Sequence, residues 1–218
     1  MVFVTCQANI QPIIWYFLHN FSIFLYIKYY LLLLILLKFF KGMFNYVKES
    51  NLYWFTTQGM EAEYNLIGVI MGLAVYNSEM LDIHFPPCVY KKLLPSSVDQ
   101  ICDPNAIVGI TNLGLYDLKF VHPTLATSLQ ELLDYEGDVE SDFMLTFEIS
   151  FSEFEIVKLE NLKENGHQIK LTNENRKEYV NLYVDFLLNR LIYKQFAAFY
   201  RGFHSVCASN AVIVILFS

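Results

Sequence analysis

Cysteine is scarce and scattered: Cys6, Cys88, Cys102 and Cys207 form no CxxC pair and no regular spacing. A disulfide framework or a clustered zinc site needs closer, patterned cysteines, so the chain reads as one with free thiols in a reducing compartment. His84 and Cys88 lie four apart, a spacing that suits two ligands on one helix face, but Pro86 and Pro87 between them break that helix, and no metal site or cofactor is expected. Positive charge is also short, with 15 Lys and Arg against 22 Asp and Glu. Residues 1–42 hold Lys28, Lys38 and Lys41 and no acid, which leaves 12 basic residues against 22 acidic ones beyond them, a balance of −10. Phosphate contacts need Lys and Arg, so nucleic acid is a poor partner for this domain and a basic protein surface a good one. No internal repeat is present.

What the chain has in excess is apolar surface. Hydrophobic residues make up 55% of it, unevenly spread. Residues 13–40, IIWYFLHNFSIFLYIKYYLLLLILLKFF, are long enough to cross a bilayer. A central Lys28 costs roughly 2.5–3.5 kcal/mol there, and the Leu, Ile and Phe residues offset it at roughly 0.3–0.6 each. Lys38 and Lys41 at its end would leave the rest of the chain in the cytosol. Neither a basic segment before it nor a small-residue cleavage site after it marks a signal peptide. Two other readings stand beside a membrane span: a buried helix of a larger fold, and translated AT-rich non-coding sequence.

From Gly42 the texture is that of a globular domain. Residues 62–80 carry apolar side chains on nearly every face and read as a central core helix, where Gly68 and Gly72 favour close helix packing inside a soluble core over membrane dimerisation. Residues 95–114 read as a loop. Leu125, Leu129, Leu132 and Leu133 define a helix over 122–135. MLTFEISF (144–151) alternates as a strand, with Leu145, Phe147, Ile149 and Phe151 on one side. NLKENGHQIKL (161–171) reads as a hairpin turning at Asn165-Gly166. Thr172 or Asn173 then caps a long helix, with Glu174 in its first turn, that runs to about Phe203.

Six blocks from Gly42 to Val206 also resemble, in order, the N-lobe of HECT-type ubiquitin ligases: GMFNYVKESNLYWF, LIGVIMGLAVYN, LDIHFPPCVYKKLL, LQELLDYEGDVESDF, TNENRKEYVNLYVDFLLN and YKQFAAFYRGFHSV. The likeness is strongest to the subgroup with few accessory domains. It implies an α+β, predominantly helical lobe with small β-sheets over residues 42–206; the hydrophobic N-terminal helix expected in 1–41, a membrane span or a gene-model artefact, and the apolar tail in 207–218 lie outside the likeness. It implies that this lobe docks a ubiquitin-conjugating enzyme, with ubiquitin and a protein substrate as further partners. In the family a second, smaller lobe carries a cysteine that takes ubiquitin as a thioester, chemistry suited to a thiolate. No cysteine here follows the His-Thr pair of that lobe, so no catalytic residue is assigned, and Cys88 and Cys207 read as structural.

Carried over position by position, the resemblance places the docking groove at Leu125, Leu129, Tyr135, Asp142, Phe143, Leu145, Tyr179 and Tyr183. Tyr179 and Tyr183 are four apart on one helix face, and Phe143 and Leu145 two apart on one strand face. Such a groove suits an inserted aromatic anchor. Ser141 stands where many relatives carry an acid, and relatives vary at the Phe143 position. Three functions remain open: a ligase-family member whose chain supplies the docking lobe, cytoplasmic in location; a membrane-tethered adaptor that binds conjugating enzymes, with the lobe in the cytosol; and a full ligase of which this sequence is an incomplete gene model.

Overall fold

Asn51, in the left-handed region at φ 56°, turns the chain between β1 (Phe44–Val47) and β2 (Leu52–Phe55). The computed structural model describes residues 42–79, 81–94, 106–153 and 156–207. The two strands pair antiparallel, Phe44 opposite Phe55 and Val47 opposite Leu52. Their inner ends feed an aromatic core. The Phe55 ring lies 4.9 Å from Phe44, 5.8 Å from Tyr64 and Phe85, and 5.1 and 5.3 Å from Phe196 and Phe199. Offset and edge-on rings at such distances add to their area burial.

Helix α1 (Glu61–Tyr76) crosses α7 (Tyr193–Val206) at the centre of this core. The crossing is too close for side chains. A Cβ on Gly68 would stand 2.1 Å from the Phe199 carbonyl oxygen, and one on Gly202 would stand 2.0 Å from that of Asn65. Gly72 lies over the Phe203 carbonyl, where a Cβ would come within 2.9 Å. Glycine therefore sets the approach in a globular core, as its pairing with acidic flanks suggests. The helix is shorter than its sequence pattern. Asn77 donates from its side-chain amide to the Leu73 carbonyl at 2.8 Å and Ser78 turns left-handed at φ 58°, which ends it at Tyr76. Nor is it buried all round: Leu66 and Tyr76 are exposed.

Pro87 opens α2 (Pro87–Leu93), where its fixed φ suits the first helical position. His84 thus lies outside the helix that carries Cys88; the imidazole is exposed and the thiol buried. Residues 106–114 hold no helix or strand, in keeping with the expected loop, of which 95–105 lie outside the described residues. Two short helices, α3 (Leu115–Leu118) and α5 (Val139–Phe143), flank α4 (Pro123–Asp134), whose buried Ala126, Leu129 and Leu132 confirm the helical leucine spacing.

β3 (Glu148–Glu153) pairs antiparallel with β4 (Ile156–Asn161), Glu148 opposite Asn161. This corrects two sequence expectations. The strand begins at Glu148, because Met144 turns left-handed at φ 50° and the next backbone groups are taken by the chain around 166–171. Phe147 N donates to the Gly166 and Ile169 carbonyls at 3.0 and 3.1 Å, and Leu171 N donates to the Leu145 carbonyl at 2.9 Å. The Asn165-Gly166 turn is no β-hairpin. It enters a 3-10 turn, Gly166–Gln168, whose glycine seats on the Phe147 carbonyl, where a Cβ would stand only 2.4 Å away. Only an isolated bridge, Thr146 to Lys170, follows it.

The long C-terminal helix is two helices. α6 (Arg176–Asp185) starts after Asn175, later than Thr172 or Asn173, because the Asn175 side chain accepts from Thr172 N at 2.8 Å and donates to the Lys170 carbonyl at 2.9 Å, holding a turn. A π segment, Phe186–Arg190, separates it from α7. Buried polar groups explain the break. Lys92, 2% exposed, donates to the Leu188 carbonyl at 2.5 Å and the Asn189 side-chain oxygen at 2.7 Å, and buried Asn189 donates to the Thr111 carbonyl and to Asp185. The ladder then closes with the wider bond, Leu191 N to the Phe186 carbonyl at 2.8 Å.

Among the described residues no helix is long and apolar enough to cross a membrane. The hydrophobic segment 13–40, the expected N-terminal helix and the 208–218 part of the tail lie outside them.

Candidate docking site

Helix α4 ends at Asp134, and the next eleven residues build one edge of the expected groove. Arg176, in the first turn of α6, pins that end by donating to the Leu132 carbonyl at 3.2 Å and the Tyr135 carbonyl at 2.5 Å. Asn173 holds the following loop from both sides: its amide donates to the Gly137 carbonyl at 2.8 Å, and its oxygen accepts from Val139 N at 2.9 Å. Asp138 caps α5, accepting from the Ser141 hydroxyl and from Glu140 N, and these bonds, the Ser141 one above all, hold its carboxyl below the usual range. Glu140 pairs with Lys170 at 2.8 Å. The segment is therefore fixed by side chains from the 170–176 stretch, and it carries its apolar residues outward.

Those residues are Phe143, Met144 and Leu145, with 39%, 83% and 41% of their surface exposed. Three consecutive apolar side chains thus stand in solvent on a backbone held at both ends, the kind of exposed apolar patch that calls for an explanation. The Tyr135 ring meets Phe143 edge-on at 5.0 Å, and its hydroxyl donates to Asp142 at 2.6 Å. That bond is the main reason the hydroxyl titrates above its ordinary value. Behind this rim, Tyr179 is buried against Phe147 at 5.4 Å, and half-buried Tyr183 lies 5.9 Å from Tyr179. Burial, with Tyr183 adding to it, pushes the Tyr179 hydroxyl up to about 12, and burial raises Tyr183 as well. Both stay neutral near pH 7, which suits an apolar wall.

The expected residues thus fall into two ring clusters joined by the 143–147 backbone, Tyr135 with Asp142 and Phe143, and Tyr179 with Tyr183. Leu129 is buried on α4, which packs on α6. Leu125 lines a crevice of about 550 Å3 with Val47, His122, Pro123 and Ser128. Met144 and Phe147 escape a sequence reading. Strict alternation assigns Met144 to the opposite face, and only its left-handed backbone turns it out. Phe147, fully buried, reads as ordinary core, yet it is what Tyr179 rests on.

Neither described cysteine is placed for acyl transfer. Cys88 is 1% exposed, and burial, with Asp117 nearby, pushes its thiol up to about 12. Cys207 is buried with its thiol directed at the Gly72 carbonyl, 3.3 Å away, and burial raises it too. A nucleophilic cysteine needs the thiolate, and these environments suppress it.

A family model described as HECT-domain (ubiquitin-transferase) matches residues 32–216, and the chain belongs to that family. Among curated proteins it is 55% identical, over 80% of its length, to the human protein named probable E3 ubiquitin-protein ligase HECTD2. It is 38% identical over 79% of its length to the human probable E3 ubiquitin-protein ligase HERC4, and 39% identical over 78% to the probable E3 ubiquitin-protein ligase mug30 of Schizosaccharomyces pombe. The chain spans only 23%, 15% and 20% of those three proteins. The resemblance read from six sequence blocks is thereby confirmed, and the fold, α+β with two small antiparallel sheets among the described residues, agrees with an N-lobe.

Proposed function

We propose that this chain supplies the lobe of a HECT-type ubiquitin ligase that docks a ubiquitin-conjugating enzyme, and that it does not itself form the ubiquitin thioester through either described cysteine. The observation that carries the reading is the Phe143–Leu145 rim: contiguous apolar surface held rigid, backed by neutral tyrosines. Its surroundings specify the partner. Residues 130–140 include Glu131, Asp134, Glu136, Asp138 and Glu140 and no base. A partner that inserts an aromatic side chain and brings basic residues around it meets both features, and like charge disfavours acidic competitors. The relatives' names speak of ubiquitin ligases, which act with conjugating enzymes and ubiquitin; ubiquitin and a protein substrate are proposed as further partners on that ground.

The test is titration calorimetry of the full chain against a panel of conjugating enzymes. Tyr183→Ala, which removes a half-buried wall residue, is expected to weaken the best binder by about 1–2 kcal/mol. A variant that binds as tightly as the wild type removes Tyr183 from the site, and no binding across the panel removes the docking function.

A further inference from the structure

Asp142 is exposed at the rim and acidic, so its obvious role is an ion pair with a basic residue of the partner. Its geometry says otherwise. One carboxylate oxygen accepts the Tyr135 hydroxyl at 2.6 Å, and the Tyr135 ring meets Phe143 edge-on at 5.0 Å. The ring has a seat. A Cβ on Gly137 would stand 2.6 Å from the Tyr135 Cε1 and hydroxyl oxygen and 2.7 Å from Cζ. Gly137 carries no positive φ, so glycine is required there only by the ring lying over it. Three residues from an eight-residue span thus meet at one point: a seat without a side chain, a ring across it, and a carboxylate that fastens the hydroxyl. The backbone beneath is fixed independently by Asn173 and Arg176, so this cluster is not needed to hold the loop.

We propose that Gly137, Tyr135 and Asp142 form a latch that positions Phe143 for docking, with Gly137 and Asp142 acting through Tyr135 instead of touching the partner. The proposal rests on the docking function above and assigns it positioning residues. Fastened, the Tyr135 ring restricts Phe143 to one orientation, so the partner finds its anchor surface already ordered and loses less side-chain entropy on binding. Asp142 serves as a hydrogen-bond acceptor, a task an amide oxygen can also do.

The discriminating variant is Gly137→Ala. The atoms it displaces are the far end of the Tyr135 side chain, so the ring swings off while the fold stays. The full 218-residue chain is titrated in mild detergent against a conjugating enzyme that carries phenylalanine on its docking loop, chosen because it binds the wild type. Gly137→Ala and Tyr135→Phe are each expected to weaken binding about three- to tenfold, the range for one lost hydrogen bond. Combined, they should lose little more than either alone. Asp142→Asn should bind within about twofold of wild type, with unchanged salt dependence, while Asp142→Ala falls with the other two. A second readout needs no partner. Followed by NMR of ring-carbon-labelled tyrosine, the Tyr135 hydroxyl titrates above its usual value in the wild type and returns towards it in Gly137→Ala. An unmoved titration in Gly137→Ala, wild-type binding by that variant, or an Asp142→Asn loss equal to that of Asp142→Ala each overturns the latch. A wild type that binds no enzyme of the panel overturns the docking function itself, and so is distinguishable from failure of the latch alone.

Discussion

Replacing Gly202 with alanine adds one methyl group at the point where α1 and α7 touch. The added carbon would stand 2.0 Å from the Asn65 carbonyl oxygen, 2.8 Å from its carbon and 3.0 Å from Val69 N. Carbon and oxygen settle at about 3.3–3.6 Å, so the overlap is roughly 1.3 Å or more. Both sides of the clash are backbone, so no rotamer change relieves it. The helices must part along a seam that also carries Gly68 and Gly72, loosening Tyr64, Ile67, Phe199 and Phe203, each 3% exposed or less. Overpacking of this kind costs typically about 1–3 kcal/mol, and an unrelievable case takes the upper end. Alanine returns about 1 kcal/mol through its better helix propensity. The net loss is about 2 kcal/mol, which at roughly 2–4 °C per kcal/mol for this size lowers the melting temperature by about 4–8 °C. Thermal unfolding followed by circular dichroism measures it, with the neighbouring exposed Arg201→Ala as a control expected within about 0.5 kcal/mol of wild type. A Gly202→Ala chain that melts at or above the wild-type temperature refutes the close crossing.

Burial holds the Lys92 amine down at about 7 against an ordinary value of 10.5, with Cys88 and Asp185 opposing it. The folded chain then sheds a proton near pH 7 that the unfolded chain keeps to about 10.4, so stability rises with pH between about 7 and 9, and Lys92→Met should flatten that slope in denaturant titrations; equal slopes refute it. Incubated with ubiquitin-loaded conjugating enzyme, the chain is expected to form no reducible adduct that depends on Cys88 or Cys207. An adduct lost on mutating either contradicts their suppressed thiolates. Tyr179→Ala empties a buried aromatic site and should cost about 3–5 kcal/mol of stability, read by denaturant unfolding, whereas Phe143→Ala at the exposed rim should cost less than about 1 kcal/mol; similar losses would mean that rim and wall are not distinct.

How much of this was legible depends on what each element answers to. The leucines of α4 follow the helical period because one face is buried, and Gly68 and Gly72 announced close packing. Gly202, their counterpart, sits on another helix, and only the crossing shows its purpose. β4 was hidden because its Ile156, Val157 and Leu159 are exposed among Lys158 and Glu160, so no buried face imposes an alternation. The Asn165-Gly166 pair drew the hairpin to the wrong place, since its left-handed residue serves a turn over Phe147. The long helix looked continuous because the groups that interrupt it, Lys92 and Thr111, lie 78 to 97 residues away in the chain. At the site, the helix period paired Tyr179 with Tyr183, but the strand period expected to pair Phe143 with Leu145 does not apply: Phe143 ends α5, Met144 is left-handed, and β3 begins only at Glu148. The latch obeys no period: Tyr135 and Asp142 meet across a turn and a short helix, and Gly137 earns its place only through a ring that folds back onto it.

The most direct test of docking is to watch where the partner lands. With the phenylalanine, methionine and leucine side chains isotopically labelled, the full chain is titrated with an unlabelled conjugating enzyme and NMR shifts are mapped. Docking at the rim predicts that Phe143, Met144 and Leu145 move first and together, while Phe85 and Phe55 in the aromatic core stay still. Shifts confined to another surface, with those three unmoved at saturation, would contradict it.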